Sequence, residues 1–183
     1  MRNINVEIKK GQLIALIGAY GSGKSSFANV LLGEMRGMPN SEVFINGSIA
    51  YCSQTPWIMN DTVKNNIVFG KDFSSAKYEK AVKYSCLQSD LSIFKNGDST
   101  LIGEKGSTLS GGQKARISLA RAIYSDADIF ILDDILSAVD AHVGSYLFNK
   151  TIREYLKNKT VLLITHSLYF VEYADHILVF EEG

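Results

Sequence analysis

The sequence GAYGSGKS, residues 18–25, lies between an apolar run at residues 13–17 and a second apolar segment that starts at Phe27. It matches the pattern G-x-x-x-x-G-K-[ST], whose glycines let successive backbone N–H groups point inward around an anion. A following helix adds the positive end of its dipole. The motif therefore predicts a phosphate-binding loop, with Lys24 reaching the β- and γ-phosphates and Ser25 binding Mg²⁺. The alternative is a glycine-rich turn with a surface lysine.

The composition of the chain limits its class. It has 183 residues, of which 46% are hydrophobic, and this favours one globular domain. Nineteen basic and nineteen acidic side chains give no net charge, which argues against nucleic acid as a partner. No apolar run is long enough to cross a bilayer, so no membrane insertion of this segment is expected. Cys52 and Cys86 fit no metal-binding spacing and no disulfide framework, which is typical of a reducing, cytosolic setting.

Short apolar runs alternate with helical patterns along the chain. Helical spacing extends over residues 74–87, and again from Ser110 to near Asp126. Short buried strands between helices are typical of a parallel sheet that is covered on both faces, an α/β fold. Buried strands are predicted at residues 13–17, 129–132 and 161–164, and a last strand is predicted at residues 177–180.

A second β layer is also predicted. Ile4, Val6 and Ile8 alternate with polar residues, as in a half-exposed strand. Asn46 and Gly47 separate residues 43–45 from residues 49–51, and Asn-Gly adopts positive φ at low cost. These patterns predict a tight hairpin and an antiparallel β region.

Two carboxylates follow a predicted buried strand. Asp133 and Asp134 come directly after residues 129–132, at the strand end where ligands bind in open α/β sheets. We expect Asp133 to support Mg²⁺ and Asp134 to lie near the attacking water. Paired acids at a strand end could instead form a helix cap.

The pentapeptide LSGGQ, residues 109–113, begins the helix predicted after Ser110. With the phosphate-binding loop, it makes the chain resemble the nucleotide-binding domain of ABC transporters, whose signature is this pentapeptide. The resemblance implies a P-loop NTPase fold with an antiparallel β subdomain and a helical subdomain, about residues 56–125, that carries LSGGQ. It also implies that the signature closes over ATP held by a second nucleotide-binding domain. The implied ATP-binding residues are Gly18, Ala19, Tyr20, Gly21, Ser22, Gly23, Lys24, Ser25, Ser26, Ser110, Gly111, Gly112, Gln113 and Asp140.

Further positions match motifs of the same family. Gln54 stands where the family has the Q-loop glutamine, which contacts the metal and the water, so the implied metal-binding set is Ser25, Gln54 and Asp133. The segment from Ser137 to Asp140 resembles the D-loop, through which two domains communicate. His166 resembles the switch histidine, which orients the γ-phosphate and the water. The implied catalytic residues are Asp134, His166 and Gln54.

Subfamily features are also present. Residues 57–60, 65–70 and 102–106 resemble the first nucleotide-binding domain of the multidrug-resistance-associated subfamily, which includes the cystic fibrosis chloride channel. This implies an ATPase at the cytoplasmic face of a membrane, in an integral transporter that exports a solute or gates a channel. The surface around residues 54–66 is then expected to receive a coupling helix of the transmembrane domains. Trp57 could instead be buried within the helical region.

Two departures from the family pattern affect the expected activity. Most catalytic sites of the family have glutamate where this chain has Asp134, so slow hydrolysis is expected. The family stacks adenine on an aromatic residue upstream of the loop, but none of the 17 residues before Gly18 is aromatic. We therefore expect residues 1–183 to be a single, truncated domain.

Other functions fit the sequence less well. A soluble ABC ATPase of DNA repair or translation is one alternative, and a non-hydrolytic regulator that gates a channel is another. A kinase or GTPase does not explain LSGGQ.

Overall fold

The structure is a computed structural model and describes residues 4–35 and 41–181. Five parallel strands form one sheet in the order β2-β3-β4-β1-β5. The strands are β1 (Leu13–Gly18), β2 (Ile49–Cys52), β3 (Ile129–Asp133), β4 (Thr160–Ile164) and β5 (His176–Phe180). The predicted α/β fold is confirmed, and four strands lie where their apolar runs predict them. Strands β1, β3 and β4 are largely buried, whereas the edge strand β5 is largely exposed.

Seven α-helices connect or cover the strands in the described part of the chain. They are α1 (Lys24–Leu31), α2 (Val63–Val68), α3 (Ser75–Tyr84), α4 (Gln88–Ile93), α5 (Gly111–Ser125), α6 (Ala141–Tyr146) and α7 (Leu168–Val171). Helix α6 continues as a π-helix over Leu147–Tyr155, and short 3₁₀ turns occupy Gly97–Ser99 and Glu104–Gly106. Helices α3 and α5 confirm the two helical patterns. Within residues 4–35 and 41–181, no helix has the length and apolarity needed to span a membrane.

Successive side chains of a strand point to opposite sides of the sheet, and the inner strands bury both sides. Phe130 and Leu132 of β3 pack in a large core with residues of α2, α3 and α5, whereas Ile131 packs with Phe27 and Ala28 of α1. The strands are short and almost wholly apolar for this reason. Their carboxyl ends all lie at one edge of the sheet, where the polar segments after β1, β2 and β3 come together.

The predicted hairpin at Asn46 and Gly47 is not formed. Residues 41–46 have no regular structure, and β2 pairs in parallel with β3. The backbone N–H and the hydroxyl of Ser48 both donate to Asp128 Oδ2, at 2.9 and 2.8 Å, which fixes the start of β2 beside β3. A Cβ at Gly47 would lie 2.8 Å from the Asp128 Cβ, so this glycine serves a close approach rather than a hairpin turn.

The amino-terminal strand is also not formed. Ile4, Val6 and Ile8 lie in a segment without regular structure, and Ile4 and Val6 are exposed. In the described residues, the antiparallel pairing is limited to an isolated bridge between Thr62 and Leu101. Alternation alone was misleading here because a strand also needs a neighbour for its backbone groups.

Candidate nucleotide-binding site

The loop between β1 and α1 has the backbone of an anion cradle. Gly18, Gly21 and Gly23 have φ values of +151°, +79° and +98°, which side-chain-bearing residues rarely adopt. A Cβ at Gly18 would lie 2.3 Å from the carbonyl oxygen of Phe180, so only glycine fits between β1 and β5. The loop closes through a hydrogen bond from Ser22 N to Ala19 O at 3.2 Å, and α1 begins at Lys24.

Lys24 places a buried ammonium inside this loop. Its side chain is 7% exposed, and Nζ donates to the carbonyl oxygens of Gly18 at 2.8 Å and Ala19 at 2.7 Å. In the described part of the chain, no carboxylate forms an ion pair with this ammonium. A buried cation that is solvated only by neutral oxygens attracts an anion strongly. Tyr20 is 94% exposed, so its ring does not fill the loop.

A hydroxyl and a carboxylate meet beside the loop. Ser25, on the first turn of α1, donates its hydroxyl to Asp133 Oδ2 at 3.0 Å, and the Tyr51 hydroxyl donates to the same oxygen at 3.4 Å. Burial raises the pKa of Asp133, while the hydrogen bonds from Ser25 and Tyr51 act in the opposite direction. Desolvation by burial also raises the pKa of Tyr51 to about 12, so its hydroxyl stays protonated and able to donate.

This oxygen pair suits Mg²⁺. Within the described residues, no group of three or more His, Cys, Asp or Glu side chains could hold a metal alone. Mg²⁺ commonly uses one or two protein oxygens together with phosphate oxygens and water. Ser25 and Asp133 offer that kind of set, next to a loop that favours phosphate.

A second polar pair lies at the ends of β2 and β3. Gln54 Nε2 donates to Asp134 Oδ2 at 3.4 Å, and the Ser137 hydroxyl donates to the same oxygen at 2.9 Å. Asp134 has φ of +51°, a left-handed conformation that aspartate tolerates better than most residues. The structure thus brings the predicted Gln54 and Asp134 together, although they are 80 residues apart in sequence.

His166 and Asp140 share a cleft with Asp134. The cleft has a volume of about 790 Å³, and its other walls include Tyr169 and Phe170. Asp140 caps α6, because its Oδ1 accepts the backbone N–H of Val143 at 3.0 Å, and this bond lowers the pKa of Asp140. Asp140 therefore has a structural role as the N-cap of α6, separate from any contact with a ligand.

The signature residues form a separate group at the start of α5. Ser110 and Gln113 form a reciprocal capping box, in which Gln113 N donates to Ser110 Oγ at 3.2 Å and Ser110 N donates to Gln113 Oε1 at 2.9 Å. Ser110 and Gly111 are exposed. A Cβ at Gly112 would lie 3.1 Å from the carbonyl oxygen of Ala138, so the signature packs on the segment that follows Asp134.

Sequence reasoning missed several polar residues at these groups. Tyr51 and Ser137 contact the two carboxylates, and Asp90 of α4 contacts the signature helix. Tyr51 ends a predicted strand next to Gln54, which was a usable signal. Asp90 lies in a helix of only six residues that has no clear periodic pattern, so nothing in the sequence indicated its burial.

Trp57 is not buried, which answers the question left open by the sequence. Its side chain is 60% exposed and meets the 45% exposed Phe69 edge to face, with ring centroids 6.0 Å apart. The Arg121 guanidinium of α5 lies 4.6 Å from the Phe69 centroid and donates to the carbonyl of Trp57 at 2.9 Å. We call Trp57 and Phe69 the aromatic patch.

Comparison with known proteins assigns the family. The sequence profile described as "ABC transporter" matches residues 1–137. The chain is 49% identical over 185 residues to "ATP-binding cassette sub-family C member 2" of Rattus norvegicus, covering all of this chain and 12% of that protein. It is 50% identical over 184 residues to "ABC transporter C family member 5" of Dictyostelium discoideum, again over its whole length and 13% of the relative.

A third relative agrees with these two. "ATP-binding cassette sub-family C member 4" of Homo sapiens is 44% identical over 183 residues, with 14% of that protein covered. The chain thus spans about one eighth of the length of the curated relatives it matches. The phosphate-binding loop, the signature and these matches agree, and the chain belongs to the ABC transporter family, as an ATP-binding domain of the sub-family C type.

Proposed function

We propose that this chain is the ATP-binding, slowly hydrolysing module of an ABC exporter, which dimerises around ATP to drive or gate transport. The observation that carries the proposal is the 3.0 Å contact of Ser25 with Asp133, beside the loop that encloses the buried Lys24 ammonium. A cation, a hydroxyl and a carboxylate in this arrangement suit a triphosphate with its metal ion.

Each residue of the loop has a defined part in binding. The backbone N–H groups of residues 18–26 surround the phosphates, and Lys24 exchanges its carbonyl partners for phosphate oxygens of higher charge. Ser25, Gln54 and Asp133 hold Mg²⁺, which when bound neutralises charge on the phosphates. The desolvated position of Asp133 strengthens this interaction because the local dielectric is low.

Asp134, Gln54 and His166 act on the water. Gln54 and Ser137 both donate to Asp134 Oδ2, and this holds the carboxylate in one orientation. His166 lines the same cleft and orients the water and the γ-phosphate. Aspartate is one methylene shorter than glutamate, so its oxygens lie about 1 Å farther from the water, and a shift of this size can lower a rate about 100-fold. Slow turnover follows from this reach.

The partner of the site is a second nucleotide-binding domain, of the same or a homologous chain. The exposed Ser110 and Gly111 leave the start of α5 open to a ligand from outside the chain. In the proposed dimer, Ser110, Gly111, Gly112 and Gln113 meet ATP held by the partner's loop, and Asp140 lies near the junction of the two domains.

The transmembrane domains dock on the aromatic patch. Two exposed aromatic rings next to each other form an amphipathic surface of the kind enriched at protein interfaces. Arg121 ties this patch to α5, whose other end carries the signature. Docking at Trp57 and Phe69 would therefore be transmitted along a single helix. This arrangement supports a location at the cytoplasmic face of a membrane, as part of an integral transporter.

Titration with Mg·ATP tests the binding proposal. Replacing Lys24 with alanine removes the buried cation, and we expect it to weaken ATP binding by about 100-fold or more, on the order of two charge-assisted hydrogen bonds. Lys95→Ala removes an exposed lysine from another helix-connecting segment and is the matched control. Equal ATP affinity in the Lys24 variant and the wild type would contradict the proposed function.

A non-hydrolytic regulator that gates a channel or transporter is the second candidate. The short reach of Asp134 favours it, because ATP would then act mainly by holding two domains together. Flux through the complete transporter in vesicles separates the two candidates. Transport that continues with a slowly hydrolysed ATP analogue favours a gate, whereas transport that stops with it favours a pump.

A further inference from the structure

Asp90 is a buried carboxylate that contacts α5, the helix that begins with the signature. It lies in α4, its residue is 5% exposed, and it accepts three hydrogen bonds from α5. Arg116 donates two of them, from Nε at 2.7 Å to Oδ2 and from Nη2 at 2.9 Å to Oδ1. Gln113 Nε2 donates the third, to Oδ1 at 3.3 Å.

The contact with Gln113 fixes the orientation of its amide. An ionised carboxylate can only accept hydrogen bonds, so Asp90 selects the amide orientation in which Nε2 faces it. The amide oxygen of Gln113 then faces Ser110 and accepts its backbone N–H at 2.9 Å. Asp90 therefore acts on the capping box of α5, and it does so through a signature residue rather than through the helix backbone.

The contact with Arg116 reaches the glycines of the signature. A Cβ at Gly112 would lie 3.2 Å from Arg116 Nη1 and 3.1 Å from the Ala138 carbonyl oxygen, so the guanidinium and this carbonyl pack closely against Gly112. The bidentate pair with Asp90 is itself well shielded, with side chains 13% and 6% exposed for Arg116 and Asp90. The pair with Asp90 thus holds the planar guanidinium in one position against the backbone of the signature.

We propose that Asp90 is a positioning residue for the signature, which sets how residues 110–113 present their backbone N–H groups to ATP held by a second domain. The inference rests on the proposed function, since it assumes that the signature acts on the partner's nucleotide. It adds a residue of the neighbouring helix, α4, to that site. Asp90 does not touch the nucleotide; it acts through Gln113 and Arg116.

The test uses pairs of differently tagged copies of this chain, purified as mixed dimers with a slowly hydrolysed ATP analogue and Mg²⁺. One copy carries Lys24→Ala, so the remaining nucleotide lies in the loop of the other copy and faces the signature of the Lys24 variant. Asp90→Asn is then placed on either copy, because asparagine keeps the shape but presents an amide donor to Gln113 or Arg116. The measurement is the concentration of analogue that gives half-maximal retention by the dimer.

The expected result differs between the two placements of Asp90→Asn. On the copy that carries Lys24→Ala, Asp90→Asn alters the working signature, and we expect about tenfold weaker retention, the equivalent of one charged hydrogen bond. On the other copy it faces the disabled loop, and retention should stay within about twofold. Asp72→Asn, which changes an exposed aspartate, is the matched control and should have no effect in either place.

Each other outcome overturns the inference. Equal losses in both placements would mean that Asp90 only supports the fold, and no loss in either would mean that the signature does not depend on it. If the pair without an Asp90 change retains no more analogue than single copies do, the proposed function fails, and the inference fails with it. Should Asp90→Asn not fold, Arg116→Lys replaces it, since lysine keeps the charge but loses the two-pronged contact. The same one-sided loss is expected.

Discussion

Replacing Asp134 with glutamate tests the proposal that the short reach of this side chain slows ATP hydrolysis. The Asp134 carboxylate is held by Ser137 at 2.9 Å and Gln54 at 3.4 Å, both on Oδ2. Glutamate would extend the carboxylate by one methylene toward the cleft that His166 also lines. If reach limits the reaction, the longer side chain should increase the rate of ATP hydrolysis by up to about 100-fold.

The same substitution should lower stability. Asp134 has φ of +51°, and aspartate is favoured there because its short side chain can bond locally. Its Oδ2 indeed accepts the hydroxyl of Ser137, three residues later. Glutamate lacks this local geometry, so we expect a loss of about 1 kcal/mol in the free energy of unfolding. The variant should hydrolyse ATP faster and also be less stable, because a longer side chain extends the reach of the carboxylate but fits the left-handed backbone less well.

ATPase activity at matched dimerisation measures the first effect, and urea unfolding measures the second. Asp134→Asn is the control, because asparagine also tolerates positive φ but cannot accept a proton from water. It should keep wild-type stability and ATP binding with no measurable hydrolysis. An unchanged or lower rate for the glutamate variant at matched dimerisation would refute the argument from reach.

Three further predictions concern the loop, the thiols and a helix cap. Gly18→Ala should abolish ATP binding in a titration, because its Cβ would meet a backbone oxygen at 2.3 Å. Gly21→Ala has no atom within 4 Å of its Cβ and should lose only about 1 kcal/mol of binding free energy through backbone strain. Similar losses of ATP affinity in both variants would contradict this. Burial raises the pKa of Cys52 to about 12 and of Cys86 to about 11, so neither thiol should react with iodoacetamide at pH 8 until urea unfolds the chain, and rapid labelling of the folded protein would be the contrary result. Asp140→Ala should lower the melting temperature at pH 7 because it removes the cap of α6. The backbone hydrogen bond from Val143 lowers the pKa of Asp140, so the difference in melting temperature should persist above the unfolded pKa near 3.8 and shrink as pH falls through the folded pKa. A difference that grows on acidification would disprove the cap.

Features that depend on neighbouring residues in the chain were readable from the sequence. The start of α5 is an example, because Ser110 and Gln113 satisfy each other's backbone groups within three residues. The phosphate-binding loop is another, since its glycines, Lys24 and the following helix are contiguous. The buried strands were also predictable, because a parallel strand covered on both faces must be apolar throughout.

Features that depend on which strands are neighbours required the tertiary structure. The hairpin expected at Gly47 does not form, because hydrogen bonds from Ser48 to the Asp128 side chain attach β2 to β3 instead. The same pairing carries Tyr51 and Gln54 to the carboxylates at the end of β3, 82 and 80 residues away in sequence.

The sequence by itself determined the family, the phosphate-binding loop and the signature, because local hydrogen bonds and periodic burial depend on residues within short segments. The tertiary structure alone decided that Gln54 meets Asp134 and that Asp90 contacts Gln113 of the signature. The physical reason is that strand order and helix packing are set by burial of the whole core, to which residues from distant segments contribute together.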